Sequence, residues 1–374
     1  MYSSPFRSPR RSKSPSTTTF SSSPKFTNSP SVGRDRFSPS HRSPTRSSSS
    51  SSSSPHSPLS SSPRCSSSSR RLPNVESKIL CAPDVYSTIP NQVISYSDSG
   101  VLAIALANKV YLYYDGDQRG LFESSSIIEG LCWWDDDLVI SSGGKIEVWH
   151  TSREKSIVKF QNHRAIATAL AAYKNYFATG GDDGIIYVYK RNCSQFVKIS
   201  LPGAKVCAIA WSKEGDSMIV ADSKKRILIY DTEFVQIGCI THDAAVVAIA
   251  TLPGNYLVTG DLSKYGVMRM FSIKTGTEVR SVCTGSPISS IVWDDHWGLI
   301  VANVNSPSTW EIWEKTFQRI AKFRGHDKGI ICMAYHSQSQ QLATISCDET
   351  IQISSLTESY HTYVCPFKLD STFR

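Results

Sequence analysis

The 374-residue chain has no apolar run near the roughly 18 residues that a membrane-spanning helix needs. Its first residues also lack the apolar core of a secretory signal. A soluble, intracellular protein with no membrane partner is therefore expected. Its ten cysteines stand fourteen or more residues apart, with no Cys-x-x-Cys pair and no clustered histidines. No metal site is expected, and the cysteines read as small core residues in a reducing compartment. Catalytic signatures are missing too. There is no Gly-x-Ser-x-Gly elbow and no His-Glu-x-x-His pair, and Ser142-Gly-Gly-Lys145 has neither the spacing of a phosphate loop nor a helix to open. Neither a cofactor nor enzymatic activity is expected.

Acidic and apolar residues are almost missing from the first 72 positions, which hold 30 serines, ten prolines and twelve Lys/Arg against the single acid Asp35. With so little to bury, this segment cannot offset the entropy of ordering itself. Residues 1–71 are read as a disordered, basic Ser/Pro/Arg-rich arm. Its net charge is +11 and that of the whole chain is +8, which leaves −3 for residues 73–374. The folded part is thus near neutral, and nucleic acid is an unlikely partner. All ten prolines of the arm follow a serine. Ser8-Pro-Arg-Arg11 and Ser43-Pro-Thr-Arg46 add a basic residue three after the serine, the preference of proline-directed cell-cycle kinases. Ser8, Ser38 and Ser43 are therefore candidate phosphorylation sites and such a kinase a candidate partner.

After the arm the chain repeats one unit, clearest in Phe177-Ala-Thr-Gly-Gly-Asp-Asp-Gly-Ile-Ile-Tyr-Val-Tyr189: an apolar run, a tight Gly/Asp turn and a strand ending on an aromatic. Strand ends at Tyr113, Trp149, Tyr189, Tyr230, Phe271, Trp313 and Ser354 lie 36, 40, 41, 41, 42 and 41 residues apart. That period belongs to four-stranded propeller blades, and seven copies predict an all-β, seven-bladed ring over residues 91–358. Residues 72–90 are read as a linker and closing strand, with Ser77–Cys81 expected at the outside of the last blade, and 359–374 as a tail.

His163, His242 and His326 each precede a strand end by 26 to 29 residues. This resembles the WD-repeat (WD40) arrangement, in which such a histidine bonds to a turn aspartate of its own blade, here Asp182 or Asp348. Trp133-Trp-Asp-Asp-Asp-Leu138 and Trp293-Asp-Asp-His-Trp297 hold carboxylates at the same place in two blades, where aspartate favours a turn.

Three further motifs, taken in order, resemble the Fizzy (Cdc20/Cdh1) family of activators of the anaphase-promoting complex. Asp35-Arg-Phe-Ser-Pro-Ser-His-Arg42, within residues 33–42, is similar to the C box, with Ser38 where Ile is usual. Leu72-Pro73 and Lys78-Ile-Leu-Cys-Ala-Pro-Asp84 are similar to the segment before the family's propeller, with Cys81 in place of Asp. Phe373-Arg374 resembles its Ile-Arg tail. Beside these three, Asp348-Glu-Thr350 in the last blade matches the family's Asp-Glu-Thr.

The resemblance implies a non-enzymatic adaptor, regulated by phosphorylation of its arm and located in nucleus and cytoplasm. Asp35, Arg36, Phe37, Pro39, Phe373 and Arg374 would bind subunits of the ligase, and the propeller would bind degrons of substrate proteins. It places Glu349 and Ser95 at a destruction-box arginine, and Asp182, Gly184 and Gly329 at top-face positions where the family has Asn, Asn and Arg. Mitotic and meiotic use stay open. The alternatives are a generic WD40 scaffold and a pseudo-activator that docks on the ligase without binding substrates.

Overall fold

Short apolar runs of β-branched and aromatic residues, broken every five to seven positions by residues that accept a left-handed backbone, give this chain hairpins stacked in series. The computed structural model describes residues 72–85, 88–89 and 91–359. The Ser-Pro arm, with the C-box-like stretch 33–42 and Ser8, Ser38 and Ser43, lies outside the described residues, as does the Phe373-Arg374 end. Among the described residues, 28 strands form seven four-stranded antiparallel sheets.

Blade 1 consists of Ile94–Tyr96, Leu102–Leu106, Lys109–Tyr114 and Asp117–Glu123, from the inside outward. Blade 2 is Ile128–Trp134, Asp137–Ser142, Lys145–His150 and Lys155–Phe160; blade 3 is Ala169–Tyr173, Tyr176–Gly180, Ile185–Lys190 and Gln195–Ser200. Blade 4 runs Val206–Trp211, Met218–Asp222, Arg226–Tyr230 and Gln236–Thr241, and blade 5 Val246–Leu252, Tyr256–Asp261, Val267–Ser272 and Glu278–Cys283. Blade 6 is Ile288–Asp294, Gly298–Asn303, Thr309–Trp313 and Arg319–Arg324. Blade 7 takes Ile330–His336, Gln341–Ser346 and Thr350–Ser359 from the end of the propeller, and its outer strand is Leu72–Cys81 from the start.

That closing strand begins five residues before Ser77 and pairs over its whole length, from Leu72 opposite Ser359 to Cys81 opposite Thr350. Its partner in turn runs to Ser359, one residue past the expected end of the propeller. Closing the ring with the N-terminal strand removes the open edge that blade 7 would otherwise present.

The core lies between blades. Ala178, Ile186 and Val188 of blade 3 pack against Val206, Met218, Val220 and Leu228 of blade 4, and each neighbouring pair of sheets repeats the pattern. The approach is close enough at Gly180 that a Cβ there would lie 2.3 Å from Val206 Cγ1. The innermost strands surround a channel of about 460 Å³.

Both Asp-rich stretches form turns between the first and second strands, with Asp135 left-handed at φ 52° and Asp294 accepting the N–H groups of His296 and Trp297. Ser142-Gly-Gly-Lys145 is a two-residue hairpin with both glycines left-handed. The cysteines depart from expectation. Of the eight described, Cys132 and Cys332 are buried, Cys193, Cys207 and Cys347 are intermediate, and Cys81, Cys239 and Cys283 are exposed. The three exposed ones sit on outer strands, which cover the blade with one face only.

Candidate functional site

In each blade the turn between second and third strands lies on the same face as the connection to the next blade. At this turn one left-handed residue recurs: Gly184 in blade 3 (φ 71°), Lys225 in blade 4 (φ 63°), Gly266 in blade 5 (φ 54°) and Glu349 in blade 7 (φ 62°). The carbonyl of each accepts the N–H of the residue opening the adjacent connection: Leu201, His242, Thr284 and, for Glu349, Ala82 at 2.7 Å. Glycine suits the place, so the two charged residues are the exceptions. Lys225 Nζ is engaged by the carbonyl of Asp243. Glu349 is exposed, and its carboxylate makes no hydrogen bond or ion pair with another described residue.

A buried network holds this turn rigid. The Thr350 hydroxyl donates to Asp348 Oδ1 at 2.6 Å, so the nearby His326 Nδ1, 2.8 Å from Thr350 Oγ1, carries the ring proton and Nε2 accepts from Thr344. Asp348 also accepts the N–H groups of Asp327 and Thr350, while Ser346 Oγ donates to the carbonyl of Lys328. Burial lowers the pKa of His326 against the opposing pull of Asp348. Burial acts to raise the Asp348 carboxyl, but the Thr350 hydroxyl, His326 and the Asp327 N–H more than offset it and hold it below the usual carboxylate range. Glu349 thus projects from a turn fixed on both sides.

The equivalent histidine of blade 3 works alike but not with the expected partner. His163 Nε2 meets Thr179 at 2.9 Å and Nδ1 meets Asp183 at 3.2 Å, while Asp182 pairs instead with Lys205. Among the described residues, neither ring nitrogen of His242 has a hydrogen-bond partner. The reason is the turn of blade 5: Gly260 pairs with Met268, eight residues on, where Gly180 pairs with Ile186, six on. Ser263 then stands where Asp183 and Asp348 stand, three after the paired residue, and its hydroxyl is turned to Asp261.

Ser95 lies on the innermost strand of blade 1, opposite Ala103, and is 9% exposed. Its carbonyl accepts from Trp133 Nε1 of blade 2 at 2.9 Å. No hydrogen bond or ion pair among the described residues joins it to Glu349. Nor is there room for the side chains that the family resemblance implies at two other places. A Cβ at Gly184 would lie 2.3 Å from the Ala204 carbonyl oxygen, and one at Gly329 would lie 2.4 Å from that of Val304. Sequence reasoning missed the left-handed backbone at Glu349; its alignment with Gly184 and Gly266 in the repeat was the available signal.

The buried histidines give the propeller a pH dependence. His163, His242 and His326 all have pKa values lowered, chiefly by burial, so each is neutral when folded and more readily protonated when unfolded. The stability they contribute is fully present above the unfolded value of about 6.5 and declines as pH falls below it. Glu129, raised by burial, acts in the opposite sense, but in the carboxylate range. The melting temperature is expected to fall between pH 7.5 and 5.5, and replacing the three histidines with Gln should flatten that slope. Thermal scans of both proteins across this window check it.

Comparison with known proteins places these features. Residues 317–353 match the model of the WD domain, G-beta repeat. The B-type cell cycle switch protein ccs52A of Medicago truncatula is 26% identical over 306 residues, 76% of this chain and 63% of that protein. The Arabidopsis thaliana protein named Cell division cycle 20.5, cofactor of APC complex, is 26% identical over 332 residues, 82% of this chain and 72% of its own length. The chain thus spans less than two thirds of the first of these relatives. A chain in a crystal structure of the mitotic checkpoint complex shares the fold, with a TM-score of 0.70 at 21% identity over 74% of this chain and 93% of that one. This chain is thus similar, over most of its length, to proteins of the Fizzy-related and Cdc20 family.

Proposed function

We propose that this protein is a non-enzymatic, substrate-recruiting activator of the anaphase-promoting complex, acting in nucleus and cytoplasm. The observation that carries the reading is the match over 332 residues to a protein named as a cofactor of that complex, joined to C-box-like and Phe-Arg motifs at the two ends of the chain. In this reading Asp35, Arg36, Phe37 and Pro39, with Phe373 and Arg374, tether the ligase, and the propeller holds the degron. Addition of the full-length protein to the purified ligase should accelerate ubiquitin transfer to a destruction-box substrate. Docking without acceleration would instead support a pseudo-activator, a reading favoured by the absence of side-chain room at Gly184 and Gly329.

Glu349 would receive the degron arginine. A carboxylate accepting charge-assisted hydrogen bonds contributes roughly 1.5–3 kcal/mol. Buried Ser95 supplies no second charge, so Glu349→Gln is expected to weaken binding of a labelled destruction-box peptide by about ten-fold or more. Equal affinity of the two proteins in a titration would remove Glu349 from the site.

Phosphates on Ser38 and Ser43 would place about −1.5 to −2 charge each among Arg34, Arg36 and Arg42 and tie those cations up within the arm. Ligase binding should then weaken when the proline-directed kinase is active. Replacing Ser8, Ser38, Ser43 and the other Ser-Pro serines with Ala should make binding constant through the cell cycle. Co-purification from synchronised cells measures this, and persistence of the cycle in the Ala variant would contradict it.

A further inference from the structure

Among the described residues the outermost strand of every blade is paired with the third strand and with no other. Such an edge is a template for a further strand, and proteins guard it with charge or proline. Six of the seven are guarded in this way. Leu72–Cys81 has Pro73 and Lys78, Gln195–Ser200 has Lys198, and Asp117–Glu123, Lys155–Phe160, Glu278–Cys283 and Arg319–Arg324 each carry two or more charges. Gln236-Ile-Gly-Cys-Ile-Thr241 of blade 4 has neither. Its side chains alternate. Ile240 is buried in a cluster with Val246 and Leu257 of blade 5, and a Cβ at Gly238 would meet Ile229 at 3.4 Å. The other row is exposed and uncharged: Val235 just before the strand and Ile237, at 58% each, then Cys239 and Thr241.

The charges of blade 4 lie beyond the two ends of this strand and differ in sign. On the face opposite Glu349, by Gln236, stand Glu214, Asp216, Asp231 and Glu233 against the single cation Lys213. On the Glu349 face, by Thr241, stand Lys224, Lys225 and Arg226 against the single acid Asp222. The flanking Asp243 and Lys205 on that face are matched by Arg269 and Asp182. One end of the blade is therefore net negative and the other net positive.

We infer that Gln236–Thr241 pairs antiparallel with the same strand of a second copy of this chain, joining two four-stranded blades into one sheet about a twofold axis. Self-pairing sets a strand against its own residues, so a guarded edge such as Arg319–Arg324 would bring cations against cations. The neutral edge avoids this. Centred on Gly238, the pairing places Ile237 opposite Cys239 and Val235 opposite Thr241, so that every exposed residue of the row gains a partner. The antiparallel sense also brings the acidic end of each blade to the basic end of the other, which favours a second copy over an arbitrary segment. This contact is separate from the Glu349 turn and does not depend on the activator reading.

The test is sedimentation equilibrium of the full-length chain, with reductant so that exposed Cys81, Cys239 and Cys283 stay thiols. A reversible rise from monomer to dimer mass is expected, with a Kd on the order of 10⁻⁵ M because two six-residue strands fall short of a standard interface. Ile237→Lys changes an exposed side chain; it should weaken association about ten-fold or more and leave the melting temperature unaltered. Ile157→Lys, on the guarded outer strand of blade 2, should leave association as it is. Mixing Ile237→Lys with Ile237→Glu should restore association that neither variant shows alone, which a merely damaged blade would not do. Monomer mass throughout for the wild type, equal association of Ile237→Lys, no recovery in the mixture, or growth beyond the dimer without limit overturns the inference. So does a monomer whose edge binds a labelled peptide of alternating Thr and Val saturably, because the occupant is then an extended segment of another protein.

Discussion

Arg36→Ala or Phe37→Ala is expected to abolish co-purification of the ligase while leaving the propeller's thermal transition unchanged. The stretch Asp35–Arg42 holds the arm's single acid and one of its few aromatics among serines. A bulky ring beside arginines is the kind of anchor on which a segment that orders upon binding concentrates its affinity. The second tether is Phe373-Arg374. Two weak tethers on one body multiply through effective concentration, so losing either should cost on the order of 10²-fold or more in apparent affinity. Deleting Phe373-Arg374 should therefore weaken docking by an amount comparable to the arm variants. Quantitative co-purification of the three variants against wild type reads this directly. Equal ligase recovery from all of them would show that the ends of the chain do not dock.

Removing residues 72–81 should destabilise the whole ring and not merely its last blade. Ten residue pairs join this strand to Thr350–Ser359, and Ser77 Oγ meets Ser354 Oγ at 2.8 Å. Val75 packs on a cluster that includes Trp310 and Leu356 of blades 6 and 7, and Leu80 on one shared with blade 1. At about 0.5–1.5 kcal/mol net per hydrogen bond, the loss amounts to at least about 5 kcal/mol. With about 2–4 °C per kcal/mol, the midpoint should fall by about 10 °C or more. The exposed edge should also promote aggregation. Adding a synthetic peptide of residues 72–81 should restore part of the loss. A deletion variant melting at the wild-type temperature would mean that the ring does not depend on this closure.

The parts legible in the sequence were those set by local chemistry. The 41-residue period follows from strand and turn residues that each copy repeats, and the Asp348 partner of His326 follows from spacing within one blade. What escaped reading depends on the exact pitch of turns and on how blades meet. That Asp183 and not Asp182 takes His163 is decided by the pitch of a four-residue turn, and the lost partner of His242 by two extra residues between Gly260 and Met268. Ser95 looks like any polar strand residue until the neighbouring blade's Trp133 covers it. Glu349 and Phe234 adopt left-handed backbones that neither residue favours, imposed by the hydrogen bonds of the turns around them.

The central claim is that this propeller works as an adaptor of the anaphase-promoting complex, and the most direct measurement is purification of the tagged full-length protein from dividing cells with mass spectrometry of what accompanies it. The account predicts ligase subunits in near-stoichiometric amounts with the wild-type chain and their loss with Arg36→Ala. Recovery of the folded protein without any ligase subunit, or with the same subunits bound equally by the variant lacking residues 33–42, would contradict it.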